Sequence, residues 1–310
     1  MIKSIEILAP AKINLSLNVL SKRSDGYHEI SSVMQAIELF DTVKVSVTQN
    51  DTKNEIIIET SNDNLSNGKN NIAYKAANLM INRFASFIFE YQTIEIYIEK
   101  NIPLAAGLAG GSSDGAAVML ALAELWNLDV SVRELALLSS EIGADVAFCI
   151  FSCAATNCNI TFSDKSELSP VVLATGIGEK LTPIFSQTKA WILLVKPKNE
   201  VSTAKVYGLV NEYSTDIGGK ELCEALQTND VVKLTKNMNN DLEKVTLAVY
   251  PIVADTITKM KTFCHDSKVM MSGSGPTVFA YFAEEECARD CHSLAKEYFT
   301  DMEIFLVKTC

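Results

Sequence analysis

The chain has 310 residues, of which 48% are hydrophobic and 21% charged, ordinary globular usage that excludes a disordered or low-complexity protein. The length allows one large domain or two modest ones. With 38 acidic against 27 basic residues the formal net charge is -11, which excludes a general nucleic-acid binder but leaves room for a local basic site that takes a phosphorylated metabolite.

The N-terminal MIKSIEILAPAKINLSLNVL has no basic stretch leading into an apolar signal core and no Arg/Ser-rich transit segment. No apolar run approaches the ~20 residues of a membrane span, so no membrane partner is expected. The eight cysteines (149, 153, 158, 223, 264, 287, 291 and 310) form no CxxC pair and read as reduced thiols of a cytoplasmic protein. Cys287, Cys291 and His292 lack the further ligands of a zinc site and read as ordinary helix residues. A monomer and a homodimer are equally compatible with the sequence.

Ile5–Ala9 and Ile13–Val19 predict two strands, Val43–Thr48 alternates as a third, and Glu55–Glu59 and Ile94–Glu99 follow the same period. Helical periodicity covers Ile72–Phe84. After Pro103 and a glycine-rich loop, helices are predicted from about Ser112 to Trp126 and over Val132–Ile142. The texture changes near Cys158, dividing the chain into 1–157 and 158–310. The second part predicts a buried strand at Trp191–Val195 and helices over Val201–Val210, Lys220–Leu226 and Leu242–Phe263, the last broken at Pro251. A strand–turn–strand over Lys268–Phe282, a helix over Glu284–Tyr298 and a strand at Glu303–Lys308 complete it. The pattern is α+β, two lobes with antiparallel sheets and helices packed on one side.

Chemistry concentrates in Pro103-Leu104-Ala105-Ala106-Gly107-Leu108-Ala109-Gly110-Gly111-Ser112-Ser113. Small residues enter a helix whose first N–H groups lack acceptors and whose end is partly positive, the makings of a phosphate cradle. Ser112 and Ser113 could cap the helix, donate to phosphate or ligate Mg²⁺; a flexible turn with a serine cap is the plainer reading. The loop lacks the Gly-Lys-Ser/Thr of a Walker A motif and the glycine spacing of a dinucleotide fingerprint. A second glycine-rich turn, Ser272-Gly273-Ser274-Gly275, lies between two apolar strands and would by itself read as a hairpin. Lys12 and Asn14 are two apart on a strand and share a face, which suggests substrate contact or else a solvated strand face. Asp145, among small and apolar neighbours, is a candidate base or a turn aspartate.

Together, Pro10–Asn14, Pro103–Ser113 and Ser272–Thr277 resemble, in order along the whole chain, the three motifs of the GHMP kinases, named for galactokinase, homoserine, mevalonate and phosphomevalonate kinases. The strings DGYHEI, GLAGGSSD, GADVAF and MSGSGPTVF narrow the resemblance to members acting on a cytidine diphosphate-linked sugar alcohol in non-mevalonate isoprenoid biosynthesis. The resemblance implies a ribosomal-protein-S5-like N-terminal lobe with the phosphate loop and catalytic residues, and a ferredoxin-like C-terminal lobe with the second loop. It implies ATP as co-substrate with Mg²⁺, phosphates held by Pro103–Ser113, and Asp145 as base with Lys12 beside it; Ser113, by its hydroxyl, is the candidate metal ligand. Asn14, Tyr27 and His28 would contact substrate, the last two at the cytidine, with Thr203 and Tyr207 from the segment that closes over the base. Another acceptor of the family, homoserine or phosphomevalonate, and a non-catalytic nucleotide-binding regulator are the alternatives. Two departures stand out: Ala109 replaces a common glycine, and Gly115 replaces the usual alanine and weakens the helix start.

Overall fold

Proline has a fixed φ compatible with extended backbone, so Pro10 does not end a strand. Where the sequence predicts two strands, one continuous strand, β1 (Lys3–Lys22), runs through it. The computed structural model describes residues 2–85, 87, 88, 91–215, 219–265 and 267–310. The chain folds as two compact units that are discontinuous in sequence.

The first unit comprises residues up to Ala11, Leu39–Ile102 and Ala109–Pro170. It holds the start of β1, the end of β2 (His28–Gln49), then β3 (Glu55–Thr60), α1 (Ile72–Phe84), β4 (Gln92–Glu99), α2 (Gly110–Leu125), α3 (Val132–Ser139) and α4 (Val146–Thr156). Its strands lie in the order β3-β4-β2-β1. The alternation of β4 buries Ile94, Ile96 and Ile98 and turns Glu95, Tyr97 and Glu99 outward. Helix α2 is buried on all sides from Ser113 to Ala123 and packs against α1 and α4. Gly115 serves that packing: a Cβ there would lie 2.7 Å from Cγ2 of Ile72, so the residue that weakens helix propensity is the one that lets α1 approach. A Ser131–Glu134 capping box starts α3. Helix α4 has no counterpart in the sequence reading.

The second unit comprises Lys12–Glu38, Pro103–Leu108 and Val171–Cys310. Its elements are β5 (Val171–Gly176), β6 (Lys180–Pro183), β7 (Trp191–Lys196), α5 (Thr203–Gly208), α6 (Lys220–Thr228), α7 (Val231–Asn237), β8 (Asn239–Asn240), α8 (Asp241–Val249), α9 (Pro251–Lys261), β9 (Lys268–Met271), β10 (Val278–Phe282), α10 (Glu285–Tyr298) and β11 (Glu303–Lys308). The antiparallel sheet β11-β7-β10-β9 packs against α9 and α10 through Leu193, Val195, Ala280, Phe282, Val253, Ile257, Ala288 and Ala295, the ferredoxin-like arrangement. Pro251 occupies the first position of α9, where its missing N–H costs no helical bond. β5 pairs antiparallel with β2 and β6, and β8 pairs with β1 at Ser16 and Leu17. Among the described residues no helix is long and apolar enough to cross a membrane, and no group of three His, Cys, Asp or Glu side chains could hold a metal ion. All eight cysteines are free thiols.

Candidate active site

Residues 12, 14, 16 and 18 of β1 point to one face, and all four are polar. They are not solvated: Lys12, Asn14, Ser16 and Asn18 are each less than 5% exposed (4%, 1%, 2% and 1%). Burial of such groups requires partners. Lys12 Nζ donates to Asn14 Oδ1 at 2.7 Å, Asn14 Nδ2 donates to Ser32 Oγ at 2.8 Å, and Ser32 Oγ donates to the Ser16 carbonyl at 2.6 Å.

The second unit also brings the two glycine-rich segments together. Ser272 Oγ donates to the Gly107 carbonyl at 3.1 Å, and the Thr277 N–H donates to the Ala106 carbonyl at 3.4 Å. Gly107 has φ of 75°, and a Cβ on it would lie 2.6 Å from the Ser272 carbonyl oxygen and 2.8 Å from that of Gly275. No other residue fits. Gly273 lies against the polar face of β1, where a Cβ would sit 3.4 Å from Lys12 Nζ and 3.5 Å from Asn14 Oδ1. Thr203 Oγ1 and Ser274 Oγ are hydrogen-bonded at 2.8 Å, which adds the start of α5 to the group. Pro103–Leu108 joins it through the Lys12 N–H, which donates to the Leu108 carbonyl at 3.0 Å.

Further along the same unit, the His28 ring lies 5.3 Å from that of Tyr207 and 6.5 Å from that of Tyr213. His28 Nε2 is buried with no hydrogen-bond partner among the described residues. Burial first, and then the charge of Lys22, lowers the His28 pKa below 6.5, so the imidazole is neutral at pH 7. Tyr27 is 58% exposed, and its N–H donates to the Asp25 carboxylate at 3.0 Å. Tyr213 was not legible in the sequence because Asn211–Ser214 carries no period and reads as plain loop.

In the first unit, α2 starts without a side-chain cap. Ala109 precedes it in the left-handed conformation, φ 60° and ψ 25°, which explains why a glycine is at home there. The N–H groups at Gly110, Gly111 and Ser112 then lack helical acceptors and carry the positive end of the helix. Ser113 does not present its hydroxyl at this end. It is fully buried, its Oγ donates to the Pro10 carbonyl at 2.8 Å, and Cys153 Sγ lies 3.7 Å away. This enclosure does not fit a ligand to phosphate-bound Mg²⁺.

Beneath the same turn, Lys100 Nζ bridges Asp41 and Asp114, 2.8 Å from Asp114 Oδ2. All three side chains are at most 2% exposed (Lys100 2%, Asp41 0%, Asp114 2%). Asp41 Oδ1 also accepts the N–H groups of Asn101 and Ile102. Asp114 Oδ1 is buried without a hydrogen-bond partner among the described residues. Burial, opposed by Lys100 and reinforced by Asp41, pushes the Asp114 carboxyl up to about 8. Burial disfavours the Lys100 ammonium, but Asp114 and Asp41 hold its pKa above the usual value. Asp145 stands at the N-terminal boundary of α4, and its side chain makes no capping bond to that helix.

Residues 71–153 match the GHMP kinases N terminal domain, and residues 222–298 match the GHMP kinases C terminal domain. The chain is 45% identical over 276 residues to the 4-diphosphocytidyl-2-C-methyl-D-erythritol kinase of Geobacillus sp. (strain WCH70), covering 88% of this chain and 86% of the relative. It is 37% identical over 308 residues to the enzyme of the same name from Exiguobacterium sibiricum, covering 98% of each. A crystal structure of 4-(cytidine 5'-diphospho)-2C-methyl-D-erythritol kinase superposes with a TM-score of 0.74 at 27% identity, covering 98% of this chain and 99% of that one.

Proposed function

The chain belongs to the GHMP kinases, and we propose that it transfers the γ-phosphoryl group of ATP to the 2-hydroxyl of 4-diphosphocytidyl-2-C-methyl-D-erythritol, giving the 2-phosphate and ADP. Phosphoryl transfer needs little covalent chemistry from the protein; it needs positioning and charge neutralisation. Asp145 is the base that takes the acceptor's proton, and the Lys12 ammonium neutralises charge on the accepting oxygen. Asn14 holds Lys12 through its carbonyl oxygen. The open N–H groups at the start of α2, with Pro103–Leu108, bind the ATP phosphates. ATP enters as its Mg²⁺ complex, in which the ion neutralises phosphate charge, and no side chain is assigned to it. Ser272–Gly275 and Thr203 line the acceptor side. In sequence the phosphate loop and base fall within 1–157 and the second loop within 158–310, although Lys12–Glu38 and Pro103–Leu108 belong to the second compact unit.

The observation that supports this acceptor is the buried, unpartnered Nε2 of His28 beside Tyr207. A neutral imidazole can meet the edge of a cytosine as donor or acceptor, and Tyr207 and Tyr27 offer aromatic faces for stacking. Homoserine and phosphomevalonate have no base to place there.

The test is ATP consumption by the purified chain against the cytidine-linked acceptor, homoserine and phosphomevalonate, with and without Mg²⁺. Turnover is expected with the first alone and only with Mg²⁺, and Asp145→Asn should reduce kcat by about 10²–10⁴ while ATP still binds. Turnover with either rival, or ATP binding without turnover on any of the three, would overturn the assignment.

A further inference from the structure

The first turns of α8 direct their polar groups at the backbone of the second glycine-rich loop. Asn240 caps the helix in the ordinary way, its Oδ1 accepting the Leu242 N–H at 3.0 Å. Its Nδ2, which capping does not use, donates to the carbonyls of Met271 at 2.9 Å and Gly273 at 2.8 Å. Glu243 Oε2 accepts the Met271 N–H at 2.8 Å. Thr246, fully buried, donates to the Ser274 carbonyl at 3.2 Å. The three residues recur at intervals of three, so one face of the helix makes all four bonds. Asp241 anchors the same turn to β1 by accepting the Val19 N–H at 2.8 Å.

The loop needs such restraint. Gly273 and Gly275 have φ of 56° and 87°, and glycine is the residue with most conformational freedom to lose. Within the loop, two backbone bonds close the turn: Ser272 N–H to Thr277 O and Gly275 N–H to Ser272 O, each 2.9 Å. These leave the carbonyls of Met271, Gly273 and Ser274 to be fixed from outside. Gly273 is also the residue that packs against Lys12 and Asn14.

We propose that Asn240, Glu243 and Thr246 are positioning residues for phosphoryl transfer, holding the Met271–Ser274 backbone where Gly273 meets Lys12 and Asn14. This rests on the kinase reading above. Displacement by about 1 Å at a reacting centre costs on the order of a hundredfold in rate, and the loss falls mainly on kcat because the loop lines the acceptor beside Lys12 and Asn14, whereas the cytidine and the ATP phosphates are held by other residues.

Steady-state kinetics on the full chain, with thermal melting and amide exchange on the same samples, test this. Thr246→Val keeps the shape and removes the donor. Asn240→Asp keeps the cap for Leu242 and sets an acceptor against two carbonyls. Glu243→Gln keeps an oxygen for the Met271 N–H, and Glu243→Ala does not. Asn240→Asp is expected to lower kcat about tenfold to a hundredfold, and Thr246→Val about threefold to tenfold, each with both KM values within about threefold of wild type. Exchange at the Gly275 N–H should quicken in both, and Glu243→Gln should retain at least about fivefold more kcat than Glu243→Ala. If Thr246→Val, and Asn240→Asp where it folds, keep kcat within about twofold, or if activity falls only with the folded fraction, the proposal is wrong. An Asn240→Asp that does not fold leaves the decision to Thr246→Val and the Glu243 pair. Failure of the kinase reading shows differently, as a wild type without turnover on the cytidine acceptor, and it removes this proposal with it.

Discussion

Lys12 Nζ donates to Asn14 Oδ1 at 2.7 Å, and both side chains are almost fully enclosed in the second unit. An enclosed ammonium is oriented by its acceptors, so the amide oxygen sets where its positive charge acts. Asn14→Leu keeps the approximate volume and removes that acceptor. It is expected to lower kcat by about tenfold to a hundredfold with the ATP KM within about threefold. Steady-state kinetics check this, and a kcat near wild type would detach Asn14 from the reaction.

The Asp41–Lys100–Asp114 cluster gives a pH dependence with a definite sign. The Asp114 carboxyl titrates near 3.8 in the unfolded chain and at about 8 in the fold, so between those values the folded state holds the extra proton. Stability contributed by that proton is present at low pH and is lost as pH rises from about 4 to about 8. Asp114→Asn, neutral at every pH, should flatten this part of the stability profile. Asp41→Ala, which leaves Lys100 with Asp114 alone and strands the N–H groups of Asn101 and Ile102, should cost about 3–5 kcal/mol. Urea unfolding across the pH range distinguishes them; a wild-type profile already flat over that range refutes the assignment of the proton to Asp114.

His28→Phe retains the ring packing with Tyr207 and deletes Nε2. The acceptor KM should rise about threefold to tenfold, the worth of one hydrogen bond, with the ATP KM unchanged. Tyr27→Ala, at an exposed ring, should raise the acceptor KM about tenfold or more through loss of a base stack. Because burial lowers the His28 pKa, the wild-type acceptor KM should rise on acidification with a midpoint below that of a free imidazole. An acceptor KM indifferent to both substitutions would remove the cytidine from this site.

The glycines of the phosphate loop divide by role. A Cβ on Gly111 would meet only Ile72 Cδ1, at 3.7 Å, so Gly111→Val should fold normally and raise the ATP KM about tenfold by crowding the open end of α2. Gly107→Ala should instead destabilise the second unit, because its Cβ would stand 2.6 Å from the Ser272 carbonyl. Gly110→Val confounds the two effects, since its Cβ would press on Ile102 at 3.0 Å. ATP titration beside thermal melting separates binding from folding; unchanged ATP affinity in folded Gly111→Val would move the cradle elsewhere.

Local periodicity determined much of the fold. Alternating isoleucines fix β4, helical spacing fixes α1 at Ile72–Phe84 and the final helix and strand, and Pro251 marks the break between α8 and α9. Glycines beside serines, a Lys-x-Asn strand and the Asp-Gly-Tyr-His string made most of the candidate site residues legible, because their chemistry is carried by residues close in sequence. Helix α4 escaped because it is apolar on nearly every side and shows no period. β5 and β6 are short, and the pairing of β5 with β2 is a matter of register with a distant strand. Only the tertiary structure decided that Gly107 must be glycine because the Ser272–Gly275 turn presses on it, that Gly115 admits Ile72, and that Ser113 faces inward. The same holds for Lys100 meeting carboxylates 59 and 14 residues away, and for Asn240, Glu243 and Thr246 reaching a loop about 30 residues on. Each of these depends on which backbone the fold brings within hydrogen-bonding distance, and no local period encodes that.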